Sequence, residues 1–423
     1  MQILEYFSKI CAIPHCSLET TKLRDFLVEF AKSQNYKVNV DKFGNIHAYK
    51  GNPKICLQAH YDMVCVGSAP NLEIFYEKGF IRAKNSSLGA DNGIGVAICM
   101  DMMDKFDDLE ILWTNDEEVG LIGANNFKDK IKSPNLLNLD SENENEVIIG
   151  CAGGEIYKTE FEIQTKIQTA NIYKISVSGL RGGHSGIEII KNIPNAIKIL
   201  CEFMAENKCK IINISGGERD NSIPTSAKAL VISKKELKPN KFVKVVNLGT
   251  QKVKIVKNSK NILNFINAFS QGIRSYDEEL NMVKESINLA IVSQDNEKVQ
   301  ITMYARAMNQ EGLEKLKFQT KTLSLATKAK FKSSQRSLAW EPIKSDFAIF
   351  VLEKMRELNP NAQIKTIHAG LECGVLCAKN SSLGACSIGP NIYSPHSIHE
   401  KCEIASIEKI SQIVENIIKD LNF

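Results

Sequence analysis

Short apolar runs alternate with helix-length amphipathic segments through the first third of the chain. Residues 55–59, 109–114 and 136–139 are short, mainly apolar runs of strand length, while 23–32, 92–103 and 122–127 read as helix-like segments. That alternation predicts an α/β architecture, a sheet with helices on its faces. The pattern changes after Cys151-Ala152-Gly153-Gly154. Strand patterns at 156–163, 173–178, 210–214, 227–233 and 298–305 there surround helices near 195–207 and 311–327. From residue 343 the first character resumes, with a helix at 347–358, strands at 363–367 and 385–388, and a final helix at 404–421. The expected organisation is therefore one α/β domain made of residues 1–153 and 343–423, interrupted by an inserted α+β domain over 154–342.

Composition narrows the class. The chain has 423 residues, more than one hydrophobic core usually serves, with 43% hydrophobic and 24% charged residues, ordinary values for a globular protein. A net charge of +4 over this length gives no footprint for nucleic acid or for a membrane surface. Residues 234–260 hold nine lysines against one acid, Glu236, without interleaved aromatics, which reads as a solvated edge excursion. No run of about 18 apolar residues appears, and the N-terminal segment carries acids in its first turns instead of a basic start and an apolar stretch. A cytoplasmic protein is expected. Its twelve cysteines, scattered singly through apolar segments, read as reduced and mostly buried thiols.

The acids and histidines carry the chemistry. They fall at or just after the ends of the apolar runs: His60 and Asp62 in LQAHYDM, Asp91 in LGADNGIG, Asp116-Glu117-Glu118 in TNDEEVG, Asp140 in NLDSE, and the distant His396 in SPHSIHE. In open α/β sheets ligands collect beyond the carboxyl ends of strands. Hard carboxylates and imidazoles gathered there suit a pair of divalent cations. His60 and Asp62, two apart, leave the same face, so the carboxylate can orient the imidazole of a metal-bound histidine. Asp91 lies between Gly89 and Gly93 at a helix start, where it can bridge two cations or merely cap the helix. Three adjacent acids in DEE repel unless solvated or neutralised; a cation pair would neutralise them and leave one glutamate free as a base. Of the seven histidines, His60, His184, His368 and His396 sit in Gly-, Ser- or Pro-rich turns near acids, and His399 is a rival to His396. The octapeptide AKNSSLGA, present at 83–90 and again at 378–385, has no surrounding period and predicts only similar turn chemistry.

The order HxD, GADNG, DEExG, LDSE and a distant histidine resembles the M20 dinuclear zinc metallopeptidases. The strings LQAHYDMV, LGADNGIGVA, TNDEEVGLIGA, DSENENEVIIGCAGG, GLRGGHSGIEI, HAGLECG and SIGPNIYSPHSIHEKCEI are similar to the aminoacyl-histidine dipeptidase branch, over nearly the whole chain. The resemblance implies a zinc-peptidase-type α/β catalytic domain with a mixed central sheet and an inserted lid or dimerisation domain. It implies two Zn2+ ions, with Mn2+ or Co2+ as substitutes: one held by His60, Asp91 and Asp140, the other by Asp91, Glu118 and His396. Asp62 would orient His60, and Glu117 would be the general base. His184 would act in trans across a homodimer on the oxyanion, and Asn221, Arg306, Gly370 and Glu372 would be candidate substrate contacts, Glu372 for the free α-amino group. The implied substrate is a short unblocked peptide of Xaa-His type. His399 departs from the family pattern, in which an acid more often follows soon after Ser-Pro. Two other readings stand beside this one. An N-acyl amino acid amidohydrolase of the same family would need no amine site, and a catalytically inactive binding protein would be free to lose a ligand.

Overall fold

The computed structural model describes residues 2–278 and 281–422, and the chain divides into two compact units. The first comprises Met1–Gly150, Trp340–Thr366 and Leu371–Phe423; the second comprises Cys151–Ala339 with Ile367–Gly370. Cys151, Ala152 and Gly153 thus begin the second unit, Trp340 returns to the first, and the HAGLECG turn is shared, its first three residues belonging to the second unit.

The first unit is built on an eight-stranded mixed sheet. Its order is Lys37–Val40, Ile46–Lys50, Leu109–Thr114, Ile55–His60, Asn135–Asn138, Gly384–Ser387, Glu146–Cys151 and Gln363–Ile367. The four middle strands run parallel, and antiparallel partners flank them. Ile55–His60 and Leu109–Thr114 are buried at every position, as parallel strands covered on both faces must be. Helices Gln2–Cys11, Ala90–Lys105, Asp346–Leu358 and Ile404–Asn422 supply side chains such as Phe7, Ile94, Val351 and Ile413 to one continuous core around that sheet.

The second unit carries a nine-stranded sheet with helices Ala196–Glu206, Ser259–Ala268 and Gln310–Ala326. The lysine-rich stretch becomes its edge strand, Lys244–Val256, paired with Thr165–Val177 and exposed along most of its length. Strand Met282–Gln294 and helix Ser259–Ala268 had no counterpart among the expected elements. Among the described residues no helix is long and apolar enough to cross a membrane.

Two local expectations are corrected. The cysteines are not all thiols: Cys16 and Cys65, 49 residues apart, form a disulfide with Cα atoms 5.5 Å apart. An extended bridge between Cys16 and Met63 brings the two segments together, and no spacing rule within the sequence could pair them. The repeated octapeptide also adopts two structures. Its first copy leaves a strand and enters the helix Ala90–Lys105, with Asn85 and Gly89 at positive φ, whereas its second leaves the helix Glu372–Lys379 and enters the strand Gly384–Ser387. Tertiary surroundings override identical local sequence here.

Candidate metal centre and substrate-contact residues

The parallel strands of the first unit deliver their acids and histidines to one place. His60 ends its strand; Glu117 and Glu118 follow Leu109–Thr114, and Asp140 follows Asn135–Asn138. Asp91 enters from the head of Ala90–Lys105, where it and Asn92 have non-helical backbone angles. Its carboxylate therefore does not cap the helix. Oδ1 lies 3.1 Å from His60 Nε2 and Oδ2 lies 3.0 Å from His396 Nε2, so the two oxygens face two imidazoles. His60 Nε2 is also 3.3 Å from Asp140 Oδ1, and His396 Nε2 is 2.6 Å from Glu118 Oε1.

Two donor groups result, His60–Asp91–Asp140 and Asp91–Glu118–His396, each with its ligand atoms within 4.8 Å of one another. Donors about 2.0–2.2 Å from a common cation stand roughly 3 Å or more apart; the contacts of the first group and the Asp91–His396 contact meet that spacing, and the 2.6 Å between His396 and Glu118 would open slightly around an ion, with Asp91 shared between the groups. Glu117 approaches the same place from the first side, since His60, Glu117 and Glu118 also satisfy that spacing. His399, whose side chain is exposed, belongs to neither donor group.

Electrostatics bind this cluster tightly. Burial alone would raise the Asp91 carboxyl, but hydrogen bonds to His396 and His60 outweigh it and hold the group well below the carboxylate range. Burial and the neighbouring Asp91 push Glu118 up to about 7. Burial, then the adjacent Glu118, drives Glu117 well above the usual glutamate value, the direction a general base needs.

The surrounding residues fix the ligands. Asp62 Oδ1 accepts the Glu117 backbone N–H at 2.9 Å and Oδ2 accepts the Ser17 hydroxyl at 2.8 Å, so this carboxylate ties the DEE turn to the His60 strand. His60 Nδ1 is 3.1 Å from the Asp62 carbonyl and 3.5 Å from its carboxylate. Asp116 turns away at positive φ, accepting the Leu18 N–H at 2.6 Å. Two residues went unnoticed in the sequence. Glu400, buried, accepts backbone N–H groups from Leu88, Gly89, Ala90 and Asp91 at 2.7–3.4 Å, which fastens the bridging aspartate to the segment carrying His396. Asn92 donates to both Leu139 O and Asp140 Oδ1. The acid four positions beyond His396 was the available signal for Glu400; Asn92 had none beyond its place beside Asp91.

The remaining candidates, apart from Glu372, lie in the second unit. His184 pairs with Ser222 in a short two-stranded bridge; its Nδ1 accepts the Ile187 N–H at 3.2 Å, and Arg306 Nη2 lies 3.4 Å from its Nε2. Arg306 is 5% exposed, packs over the Tyr304 ring, and has no carboxylate ion-pair partner among the described residues. His368 Nε2 contacts Ser286 Oγ at 2.7 Å. The small residue in GGHSG is required by this packing, because a Cβ on Gly186 would stand 2.3 Å from the His368 carbonyl oxygen. Asn221 is exposed and its carbonyl accepts the Ser185 N–H at 2.8 Å; Gly370 ends the short segment that joins this unit. Glu372 lies in the first unit, fully buried and bonded to Gln58 and Thr114.

The model for peptidase family M28 matches residues 44–174, the stretch that contains His60, Asp62, Asp91, Glu117, Glu118 and Asp140. The cytosol non-specific dipeptidase of Escherichia coli (strain K12) is 28% identical, covering 99% of this chain and 97% of that protein. The crystal structure of the aminoacylhistidine dipeptidase from Vibrio alginolyticus is similar at a TM-score of 0.82 and 26% identity, over 99% of this chain and 96% of that one. An M20 family metallo-carboxypeptidase from Sulfolobus solfataricus, 12% identical with a TM-score of 0.55 and 99% coverage of both chains, shares the fold. The chain is thus similar over its full length to a dipeptidase and to an aminoacylhistidine dipeptidase, and its two donor groups joined through Asp91 suit the dinuclear M20-type metallopeptidases that its motifs resemble.

Proposed function

We propose that this metal-dependent dipeptidase cleaves Xaa-His dipeptides, including the β-Ala-His type, in the cytoplasm and with two zinc ions. The observation that carries the reading is Asp91, whose two carboxylate oxygens each face a different histidine of a different donor group. His60, Asp91 and Asp140 would hold one ion; Asp91, Glu118 and His396 would hold the other. Bound there, divalent ions would supply Lewis acidity and lower the pKa of a water toward neutrality. Imidazole and carboxylate donors accept zinc, manganese or cobalt, so the metal set itself allows substitution.

Glu117 takes the proton of the attacking water and passes it to the departing amine, and its raised affinity for protons suits both halves of that task. Asp62 keeps Glu117 in place through its backbone N–H and holds the His60 side chain from below. His184 would stabilise the oxyanion, as the resemblance implies; in this structure Ile187 N–H faces its Nδ1 and the Arg306 guanidinium lies near its Nε2. As the resemblance implies, His184 serves the neighbouring subunit of a homodimer, with residues 154–342 as the lid and dimerisation domain and the remainder as the catalytic domain. Arg306, buried and without an anionic partner among the described residues, is suited to the substrate's terminal carboxylate, with Asn221 and Gly370 beside it in that role. The relatives named above are a dipeptidase and an aminoacylhistidine dipeptidase, which supports peptide substrates.

A metal-loaded panel of Xaa-His, β-Ala-His, other dipeptides, tripeptides and N-acetyl amino acids tests the assignment. Fastest turnover is expected on Xaa-His dipeptides. Turnover confined to N-acetyl compounds would sink the dipeptidase reading in favour of the amidohydrolase one.

A further inference from the structure

Buried polar side chains interrupt the parallel strands, and three of them are linked to one another. Gln58, Thr114 and Asn138 have no exposed surface, and neither has Glu372 at the head of the helix Glu372–Lys379. They form one connected chain. Gln58 Nε2 donates to Thr114 Oγ1 at 3.0 Å and to Glu372 Oε2, and Thr114 Oγ1 donates to the same carboxylate oxygen at 2.5 Å. Gln58 Oε1 accepts from Asn138 Nδ2 at 2.6 Å, and Asn138 Oδ1 accepts the Asp140 backbone N–H at 3.2 Å. Each strand in the chain also carries the site: Gln58 precedes His60 by two residues, Asn138 precedes Asp140 by two, and Thr114 precedes Glu117 by three.

We infer that Glu372 is a positioning residue which, through Gln58, Thr114 and Asn138, holds the three strand ends presenting His60, Glu117–Glu118 and Asp140 at the spacing the metal pair needs. The inference rests on the ligand assignment proposed above. Buried donors in a sheet centre are costly unless satisfied, and Glu372 is the acceptor for two of them. A slip of one residue in any strand would turn its polar side chain to the opposite face, so the chain also specifies register. Comparable outer-shell partners of metal ligands are worth about 10–100-fold in metal affinity.

The test uses the full-length protein with Glu372→Ala, Glu372→Gln and Asn138→Leu. Zinc affinity is measured by competition with a chromophoric chelator, alongside kcat, KM and thermal midpoint. E372A should weaken zinc binding about 10–100-fold and lower kcat at saturating metal with little change in KM. E372Q, which keeps an acceptor oxygen, should restore most of that loss. N138L breaks the link to Asp140 without touching Glu372 and should weaken zinc in the same direction, which keeps the test alive if E372A does not fold. A lowered thermal midpoint with unchanged zinc affinity and kcat would reduce the network to structure alone and overturn the inference. A rise in KM for free dipeptides, with N-acetyl substrates and zinc affinity untouched, would overturn it too, in favour of an amine-binding Glu372. Failure of the wild-type protein to take up two ions would strike the ligand assignment instead.

Discussion

The two units solve the problem of buried charge in opposite ways. In the first, carboxylates of the acidic cluster stand against imidazoles or backbone N–H groups: Asp91 between His60 and His396, Asp62 beneath the Glu117 turn. In the second, the buried acids Glu155 and Glu285 are paired with Lys317 and Lys315, whereas Arg306 is a buried cation with no carboxylate ion-pair partner among the described residues and with the imidazole of His184 and the ring of Tyr304 as close neighbours. An excess of acids calls for cations that stay, and an isolated buried guanidinium calls for an anion that comes and goes. On the proposed assignment, the contrast separates the residues that would bind metal from those that would bind substrate.

The sharpest way to break this contrast lies in the first unit. Glu117→Ala should bind both metal ions yet lose roughly 100- to 10,000-fold in kcat, the usual worth of a positioned general base. Metal content by atomic absorption and turnover of the same sample check it. Substantial activity in the metal-loaded variant would move the base to another residue, and loss of metal would make Glu117 a ligand.

The second unit offers the complementary loss. Arg306→Met removes the unpaired cation while keeping an apolar stem against Tyr304, so metal content should stay at the wild-type level. A charge-assisted contact to a carboxylate is worth about 1.5–3 kcal/mol, so kcat/KM should fall roughly 10- to 100-fold. The decisive control is a dipeptide amide. If the variant discriminates between free acid and amide as well as the wild type does, Arg306 does not read the carboxylate.

The same contrast explains what could be read from the sequence. Strand ends in an α/β pattern are where ligands gather, so His60, Asp91, Glu118, Asp140 and His396 stood out without coordinates. Helix and strand periodicity likewise placed the strands at 109–114 and 363–367 with the bounds that the structure shows. What escaped depends on distant partners. Glu400 matters only because the Leu88–Asp91 backbone folds against it, and the Cys16–Cys65 bridge joins segments that share no motif. For Glu372 the resemblance implies only a substrate contact, and its bonds to Gln58 and Thr114 across the strand ends could not be read from the HAGLECG turn. Strand Met282–Gln294 was missed because Asn288, Ser286 and Glu285, all buried, break the apolar pattern that announces a strand.

The smallest predicted effect concerns His368, which shares the cationic surroundings of Arg306. Burial first, then Arg306 and His184, lower its imidazole to about 3, against about 6.5 in an unfolded chain. The sign follows from proton uptake. Above pH 6.5 the group is neutral in both states and contributes nothing; as pH falls from 6.5 toward 3 the unfolded chain binds a proton that the folded protein refuses, so stability declines. At pH 5.0 the cost is about 2 kcal/mol for one such proton. His368→Gln can keep the hydrogen bond to Ser286 without titrating. Urea midpoints of both proteins at pH 7.5 and 5.0 isolate the effect, because titration of the metal cluster is common to the two and cancels. The variant should lose less stability on acidification than the wild type. Equal losses would mean that His368 accepts its proton in the folded state, and that the surroundings of Arg306 are less hostile to positive charge than a site awaiting a carboxylate should be.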